Sequence, residues 1–338
     1  MKRIMVTGGA GFIGSAFVRY QLQRDPKVHI VNFDKLTYAG NLDNVKDVDP
    51  ARHTFVQGDI ADLDAVLAAM EGCDAVVNFA AESHVDRSIM GATEFLRTNV
   101  DGVYSIVEAA RRLKTERVLL VSTDEVYGSI DTGAFLETDR LNPRNPYSAA
   151  KAGGELVGRS FFETFGVPVI VTRGSNTYGP YQYPEKVLPL FLTNAMDGEG
   201  LPIYQGGEHN VRDWLYVDDH CSGIDTALRH GTPGEIYNVA GENERELITL
   251  TRKVLELTGR DESLIQPVPD RPGHDKRYAI DCGKLKGLGW RARMDWDEGM
   301  ALTAAWYRDN EWWWRKIKSG NYYRQYYDRN YGHREVLA

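Results

Sequence analysis

Apolar and polar residues alternate in blocks along the first half of the chain. Short apolar runs at Ile4–Val6, His29–Phe33, Thr54–Gln57, Ala75–Phe79, Arg117–Ser122 and Pro168–Thr172 predict six strands. Longer amphipathic stretches between them predict helices: Phe12 to Gln23, one beginning near Leu63, Glu94 to Leu113, and one opening at Pro146. Strands alternating with helices specify a doubly wound α/β fold, a parallel sheet covered on both faces. Val118 and Val121 give one run the β-branched density of a strand buried on both sides. The pattern changes after Arg173. Gly, Pro and Tyr become frequent, as in Tyr178-Gly179-Pro180-Tyr181, and the periodic signals shorten. This divides the chain into a first domain over 1–175 and a smaller mixed α/β domain over 176–338, with 213–241 returning to the first. Within that return, Trp214–Asp219 and Ile236–Val239 are expected to join the main sheet. The tail from Trp306 to Tyr331 is dense in Trp, Tyr and Arg, and its composition predicts a helix packed on the body.

Between the first strand and the first helix stands Thr7-Gly8-Gly9-Ala10-Gly11-Phe12-Ile13-Gly14. Glycines are needed where backbone must approach a pyrophosphate, and the following helix offers free N–H groups and the positive end of its dipole. A glycine motif alone is weak, but here it occupies the strand-to-helix context that a Rossmann-type dinucleotide site requires. Asp34 closes the second strand, 20 residues after Gly14. A carboxylate there can accept hydrogen bonds from ribose hydroxyls and would repel a 2′-phosphate, which favours NAD over NADP.

Asn145-Pro146-Tyr147-Ser148-Ala149-Ala150-Lys151 opens a helix, with Asn145 as N-cap and Pro146 at the first helical position. Tyr147 and Lys151 are then i and i+4, on one face. A neighbouring ammonium and a positive nicotinamide would favour the phenolate and make Tyr147 a usable base. Ser122-Thr123-Asp124-Glu125-Val126-Tyr127-Gly128 ends the fifth strand, where the ligand crevice of an open α/β sheet lies. Two adjacent carboxylates are costly to bury unless they are paired or at work. Two such groups can divide acid and base roles if their environments separate their pKa values.

Composition narrows the function class. The 338 residues carry a formal charge of −8, which argues against a nucleic-acid-binding surface. Cys73, Cys221 and Cys282 are far apart and odd in number, so free thiols in a reducing compartment are expected, and a cytoplasmic enzyme is the default class. No stretch approaches the length needed to span a bilayer. No spacing of His or Cys suggests a metal site.

Together these motifs resemble the extended short-chain dehydrogenase/reductase family over nearly the whole chain. Within it, Ala80-Ala81-Glu82-Ser83-His84-Val85-Asp86-Arg87-Ser88, the Thr123-Asp124-Glu125 triplet, Tyr178-Gly179-Pro180-Tyr181-Gln182, Pro184-Glu185-Lys186, Arg212-Asp213-Trp214 and Arg271-Pro272-Gly273-His274-Asp275 resemble the nucleotide-sugar 4,6-dehydratases. The resemblance implies NAD as cofactor, dTDP-glucose as substrate and a homodimer paired through helices Glu94–Leu113 and Pro146–Phe165. It implies that Tyr147 takes the proton of the glucosyl 4-hydroxyl, Lys151 lowers the Tyr147 pKa, and Thr123 hydrogen-bonds the 4-oxygen. Glu125 would remove the C5 proton and Asp124 protonate the leaving 6-hydroxyl, with hydride returning to C6.

The NAD site implied in this way comprises Gly8, Gly11, Phe12, Ile13, Gly14, Asp34, Lys35, Leu36, Thr37, Asp59, Ile60, Ala80, Ala81, Ser83, Thr98, Tyr147, Lys151 and Thr177. The sugar nucleotide would be held by His84, Thr123, Asn176, Lys186, Leu188, Pro202, Tyr204, Arg212, Asn238, Arg271 and His274, with Arg212 and Arg271 on the diphosphate. At one point the chain departs from the pattern: Asn176-Thr177-Tyr178 stands where the family usually has two asparagines, an order familiar from UDP-glucuronate decarboxylases. A UDP-sugar decarboxylase, a 4-epimerase and a non-catalytic NAD-binding scaffold are the alternative readings.

Overall fold

A computed structural model describes residues 1–270 and 273–329. The strands in chain order are β1 (Arg3–Thr7), β2 (His29–Asp34), β3 (His53–Gln57), β4 (Ala75–Asn78), β5 (Arg117–Thr123), β6 (Val169–Gly174), β7 (Asn176–Tyr178), β8 (Leu201–Tyr204), β9 (Val211–Tyr216), β10 (Ile236–Val239), β11 (Glu244–Glu246) and β12 (Ile265–Val268). Seven of them form one parallel sheet in the order β10-β6-β5-β4-β1-β2-β3. The chain runs outward from β1 in one direction and then resumes at β4 in the other. The carboxyl ends of β1 and β4 therefore flank the switch point where an open sheet leaves a crevice.

Helices Phe12–Arg24 and Val217–His230 pack on one face of the sheet. Leu63–Met70, Gly102–Leu113 and Pro146–Phe165 pack on the other. The inner strands are apolar on both sides because both faces are covered: every residue of β5 after Arg117 is buried.

The predicted helix from Glu94 to Leu113 is interrupted. Thr93–Leu96 leads into a π-helical turn, Arg97–Asp101, before Gly102–Leu113 continues it. The widened turn faces a segment that needs it: the Asn99 amide accepts from the Glu82 N–H at 3.0 Å and donates to the Glu82 carbonyl at 2.9 Å. π turns of this kind recur beside functional sites, and here the turn carries Thr98 to the wall of the cleft described below.

Beyond β6 the chain builds a cap over the carboxyl ends of the strands. It contains a three-stranded sheet, β11-β9-β7, and a parallel pair, β12-β8. Of the two segments expected in the main sheet, Ile236–Val239 joins it as β10, beside β6. Trp214 to Tyr216 does not: it lies in β9, paired with β7 and β11. Its aromatic side chains explain the difference. Trp214 and Tyr216 pack with Tyr178 and Trp296 in the aromatic core of the cap. The helix that follows, Val217–His230, returns to the main sheet.

The Trp-rich tail forms three helices on the body, Trp296–Asp309, Glu311–Lys318 and Asn321–Tyr327, with Trp313 and Trp314 fully buried. Tyr331 lies outside the described residues. Cys73, Cys221 and Cys282 are free and buried. No helix among the described residues is long and apolar enough to cross a membrane.

Candidate active site

A single cleft runs along the carboxyl ends of β1, β2, β4, β5 and β6. At one end is the glycine turn. Gly8 has φ +67°, and a Cβ there would lie 2.6 Å from the Ala80 nitrogen; one on Gly14 would lie 2.2 Å from the Gly8 carbonyl oxygen. Those two glycines are demanded by the protein itself. Gly11 is different. A Cβ there would meet only the Gly8 oxygen, at 3.2 Å, and would otherwise project into open space. It lines the cleft at the N-cap of the first helix, so what excludes a side chain there is what the cleft receives.

Asp34 is buried, and burial raises its carboxyl above the usual range, against the lowering effect of two backbone donors. The Ala10 N–H donates to it at 2.9 Å and the Leu36 N–H at 2.8 Å. Leu36 itself is not among the lining residues. Its φ of 57° turns the backbone so that its N–H reaches Asp34. Lys35 and Arg97 both pair with Asp59, at 3.0 and 2.8 Å. Phe12, Ile13, Asp34, Lys35, Thr37, Asp59, Ile60, Ala80, Ala81, Ser83, Thr98 and Thr177 all line the cleft. A glycine cradle at a helix N-terminus, with a carboxylate at the tip of β2, fits a dinucleotide.

At the other end Thr123, Asp124, Glu125, Tyr147 and Lys151 converge. Thr123 ends β5 and caps the short 3-10 turn Asp124–Tyr127, its hydroxyl accepting the Glu125 N–H. Gly128 closes the turn at φ 82°, where a Cβ would strike the Asn142 carbonyl. Behind the turn, Tyr127 stacks on Phe135 and donates to Asn238, while the Arg173 guanidinium covers its ring and pairs with buried Glu155 at 2.6 Å. On the facing helix Asn145 and Ser148 form a reciprocal cap, and the Asn145 amide reaches Glu125 at 3.5 Å. The two carboxylates are thus fixed from both sides.

Asp124 is buried and Glu125 only half-buried. Burial holds the Asp124 carboxyl well above the carboxylate range, and Glu125 and Asp213 push it further. One of its oxygens, Oδ2, has no partner among the described residues. Both burial and the neighbouring carboxylates therefore favour the protonated form of Asp124. Tyr147 does not follow the expectation of a lowered phenol. Burial raises it, and Glu125 adds to the rise, while a hydrogen bond with Thr123 opposes them. The Lys151 ammonium is pulled down to about 8, chiefly by burial, with Glu155 opposing, and it donates to the Val121 carbonyl at 2.7 Å. Desolvation outweighs the pairing that i, i+4 spacing alone suggests.

The residues expected on the sugar nucleotide divide. Asn176 and Lys186 line the cleft, Asn176 with a buried, unpartnered Oδ1. His84 caps helix Val85–Met90 beside the cleft, 3.4 Å from the Glu185 carbonyl. Tyr204, Arg212 and His274 gather instead in the cap. Arg212 donates to the Asp275 and Val211 carbonyls and covers the Tyr278 ring, and His274 meets Tyr204 edge to face. Pro202 lies on β8 with Tyr204, and Leu188 is buried in the core of the cap, away from the cleft lining.

Asn238 is a correction. Its amide is spent on Tyr127, Phe135 and Asp281, so it braces the catalytic turn and leaves no donor for a substrate. Arg271 lies outside the described residues. Sequence reasoning missed Tyr38, Glu82, Gln182, Tyr183, Glu185 and His220 on the cleft wall. Glu82 and Glu185 stand inside motifs that sequence reasoning singled out for their neighbours. His220 gives no local signal: it is an ordinary position in the first turn of a helix, set 2.7 Å from the Thr177 hydroxyl only by packing.

The comparisons with known proteins agree with this geometry. The family model for GDP-mannose 4,6 dehydratase matches residues 5–303. A dTDP-glucose 4,6-dehydratase from Streptomyces antibioticus is 50% identical over 93% of this chain and 95% of its own length. The crystal structure of DesIV, a dTDP-glucose 4,6-dehydratase from Streptomyces venezuelae with NAD bound, is 49% identical, covering 94% of this chain and 100% of that one, with a TM-score of 0.91. A UDP-glucose 4-epimerase from Thermus thermophilus, in complex with NAD, is 29% identical over 91% of this chain and 99% of that one, at a TM-score of 0.85. By its sequence, its fold and its cleft, the chain belongs to the GDP-mannose 4,6 dehydratase family.

Proposed function

We propose that the chain is an NAD-dependent hydro-lyase that converts dTDP-glucose to the 4-keto-6-deoxy sugar. The observation that carries the reading is the pair Asp124 and Glu125, adjacent in sequence and unlike in environment, beside Tyr147 and Lys151. NAD, when bound, supplies the acceptor for the hydride at C4 of the sugar and its return at C6. Tyr147 takes the proton of the 4-hydroxyl, with Thr123 bonded to the same oxygen. The buried Lys151 charge opposes the phenol's burial penalty at the moment the proton leaves. The C4 ketone acidifies C5, and Glu125 removes that proton and gives it back to C5 as the hydride adds at C6. Asp124, kept protonated by burial, gives its proton to the departing 6-hydroxyl, which leaves as water. A 4-epimerase needs the Tyr/Lys pair alone; the second and third steps need the two carboxylates.

The decisive experiment incubates the purified protein with dTDP-glucose and weighs the product. A mass lower by one water supports the reading, and an unchanged mass overturns it. Two finer points belong to the same proposal. Tyr104 and Leu113 on one helix and Leu156 and Phe165 on the other are exposed, which supports a homodimer built on helices Gly102–Leu113 and Pro146–Phe165. Three free cysteines support a cytoplasmic, reducing location.

A further inference from the structure

The aromatic tail has no part in the chemistry above, yet its last helix reaches the wall of the cleft. Arg87, on helix Val85–Met90, is the meeting point. Its Nε and Nη2 donate to one Glu185 oxygen at 3.0 and 2.6 Å, and its Nη1 donates to the Tyr322 hydroxyl at 3.0 Å. Three rings surround the guanidinium: Tyr326 at 4.1 Å, Tyr38 at 4.2 Å and Tyr322 at 4.7 Å. Tyr38 stacks on Tyr322 at 5.2 Å, and the Tyr323 hydroxyl donates to the Pro184 carbonyl at 3.1 Å.

These contacts tie together four separate segments. Tyr38 comes from the loop that lines the dinucleotide end of the cleft with Lys35 and Thr37. Glu185 comes from the segment that carries Lys186, whose ammonium donates to the Ser83 carbonyl across the cleft wall at 2.6 Å. Arg87 comes from a third, and Tyr322 and Tyr326 from the Asn321–Tyr327 helix. The charge balance is demanding. Glu185 is buried and Glu82 half-buried on the wall; burial raises the Glu82 carboxyl, Arg87 opposes the rise more strongly than Lys35 does, and Glu185 and Glu94 add to it. Arginine suits the position because a planar guanidinium can pair in its plane and stack on rings above it, which an ammonium cannot do.

We propose that Arg87 and the Asn321–Tyr327 helix form a latch that holds the cofactor loop and the substrate segment Tyr183–Lys186 in register, with Arg87 a positioning residue that acts through Glu185. Release of the helix frees both ends of the cleft together. The inference rests on the reading of the cleft as a cofactor-and-substrate site, but its main readouts do not depend on which sugar nucleotide is turned over.

Removing Arg87 would leave buried Glu185 and half-buried Glu82 opposed, so the test acts on Tyr322, which is half exposed. In the full-length protein, Tyr322→Ala is expected to release NAD about tenfold faster and to raise backbone hydrogen exchange in Tyr183–Lys186 by a similar factor. KM for dTDP-glucose rises several-fold while kcat stays within about twofold. Tyr322→Phe keeps the ring and loses one hydrogen bond, and should recover most of each effect. Tyr322→Leu keeps apolar bulk without a ring face, and should behave as the alanine variant does. Wild-type NAD release and wild-type exchange in Tyr322→Ala would overturn the latch, as would full recovery by leucine. If the parent protein leaves dTDP-glucose unchanged, the functional reading falls, while hydrogen exchange still decides the latch.

Discussion

At the carboxyl end of β5, Ser122 Oγ and Asp124 Oδ2 are buried with no partner among the described residues. The same holds for Asn176 Oδ1, Gln182 Oε1 and His220 Nε2 along the cleft wall. The cap treats its buried polar groups differently. Its Asp213 carboxylate accepts the Gly241 and Asn243 N–H groups at 2.7 and 2.6 Å, and Asp275 accepts from Tyr278 and Arg144 at 2.6 and 3.0 Å. An unmade buried hydrogen bond costs about 1–3 kcal/mol, and among the described residues such groups are concentrated on the cleft wall, with Trp214 Nε1 the counterpart in the cap. The cap uses its polar residues to hold the protein together, and the cleft keeps several of its own in reserve.

The contrast can be broken at either end. Glu125→Gln should cut dehydration by roughly 10²–10⁴-fold while oxidation at C4 still proceeds, seen as absorbance of reduced cofactor that accumulates without product. Dehydration at the parental rate would remove Glu125 as the base. A change of pH acts on the same end more gently. Lys151 is pulled down to about 8, so the contribution proposed for its ammonium is full below that value and is lost as pH rises through it. Above pH 8, kcat should fall by about tenfold per unit, and Lys151→Arg, in which the charge no longer titrates, should abolish that limb whatever its absolute rate. Asp213→Ala is the counterpart in the cap. It should cost about 1–3 kcal/mol of stability, read as a lower Tm, and lower kcat far less than Glu125→Gln does, because Asp213 acts on the site only through its charge on Asp124. A Tm that holds while kcat collapses would move Asp213 from brace to machinery.

How far the site was legible depended on how local its chemistry is. The glycine turn, Asp34 and the Tyr147/Lys151 spacing are short-range facts, because backbone approach, a strand end and one helical turn are set within a few residues. The acid pair was visible too, although its division of labour was not. Asn238 was misassigned because its motif position says nothing of Tyr127, Phe135 and Asp281, which claim its amide from 43 to 111 residues away. Trp214–Tyr216 was misplaced for a related reason: an apolar strand joins whichever sheet buries its side chains best, and two aromatic partners in the cap, Tyr178 and Trp296, draw it there.

The amino-acid sequence by itself determined the doubly wound sheet, the helix N-terminus that faces the dinucleotide, and the set of groups able to exchange protons. These follow from hydrophobic period, glycine geometry and side-chain chemistry, all of which act over one or two turns of chain. Only the tertiary structure decided protonation and position. Burial raised Asp124 and Tyr147 and lowered Lys151. Distant segments supplied His220, Glu185 and the tyrosines around Arg87. Desolvation and long-range packing depend on everything folded around a group, and no local stretch of sequence contains that information.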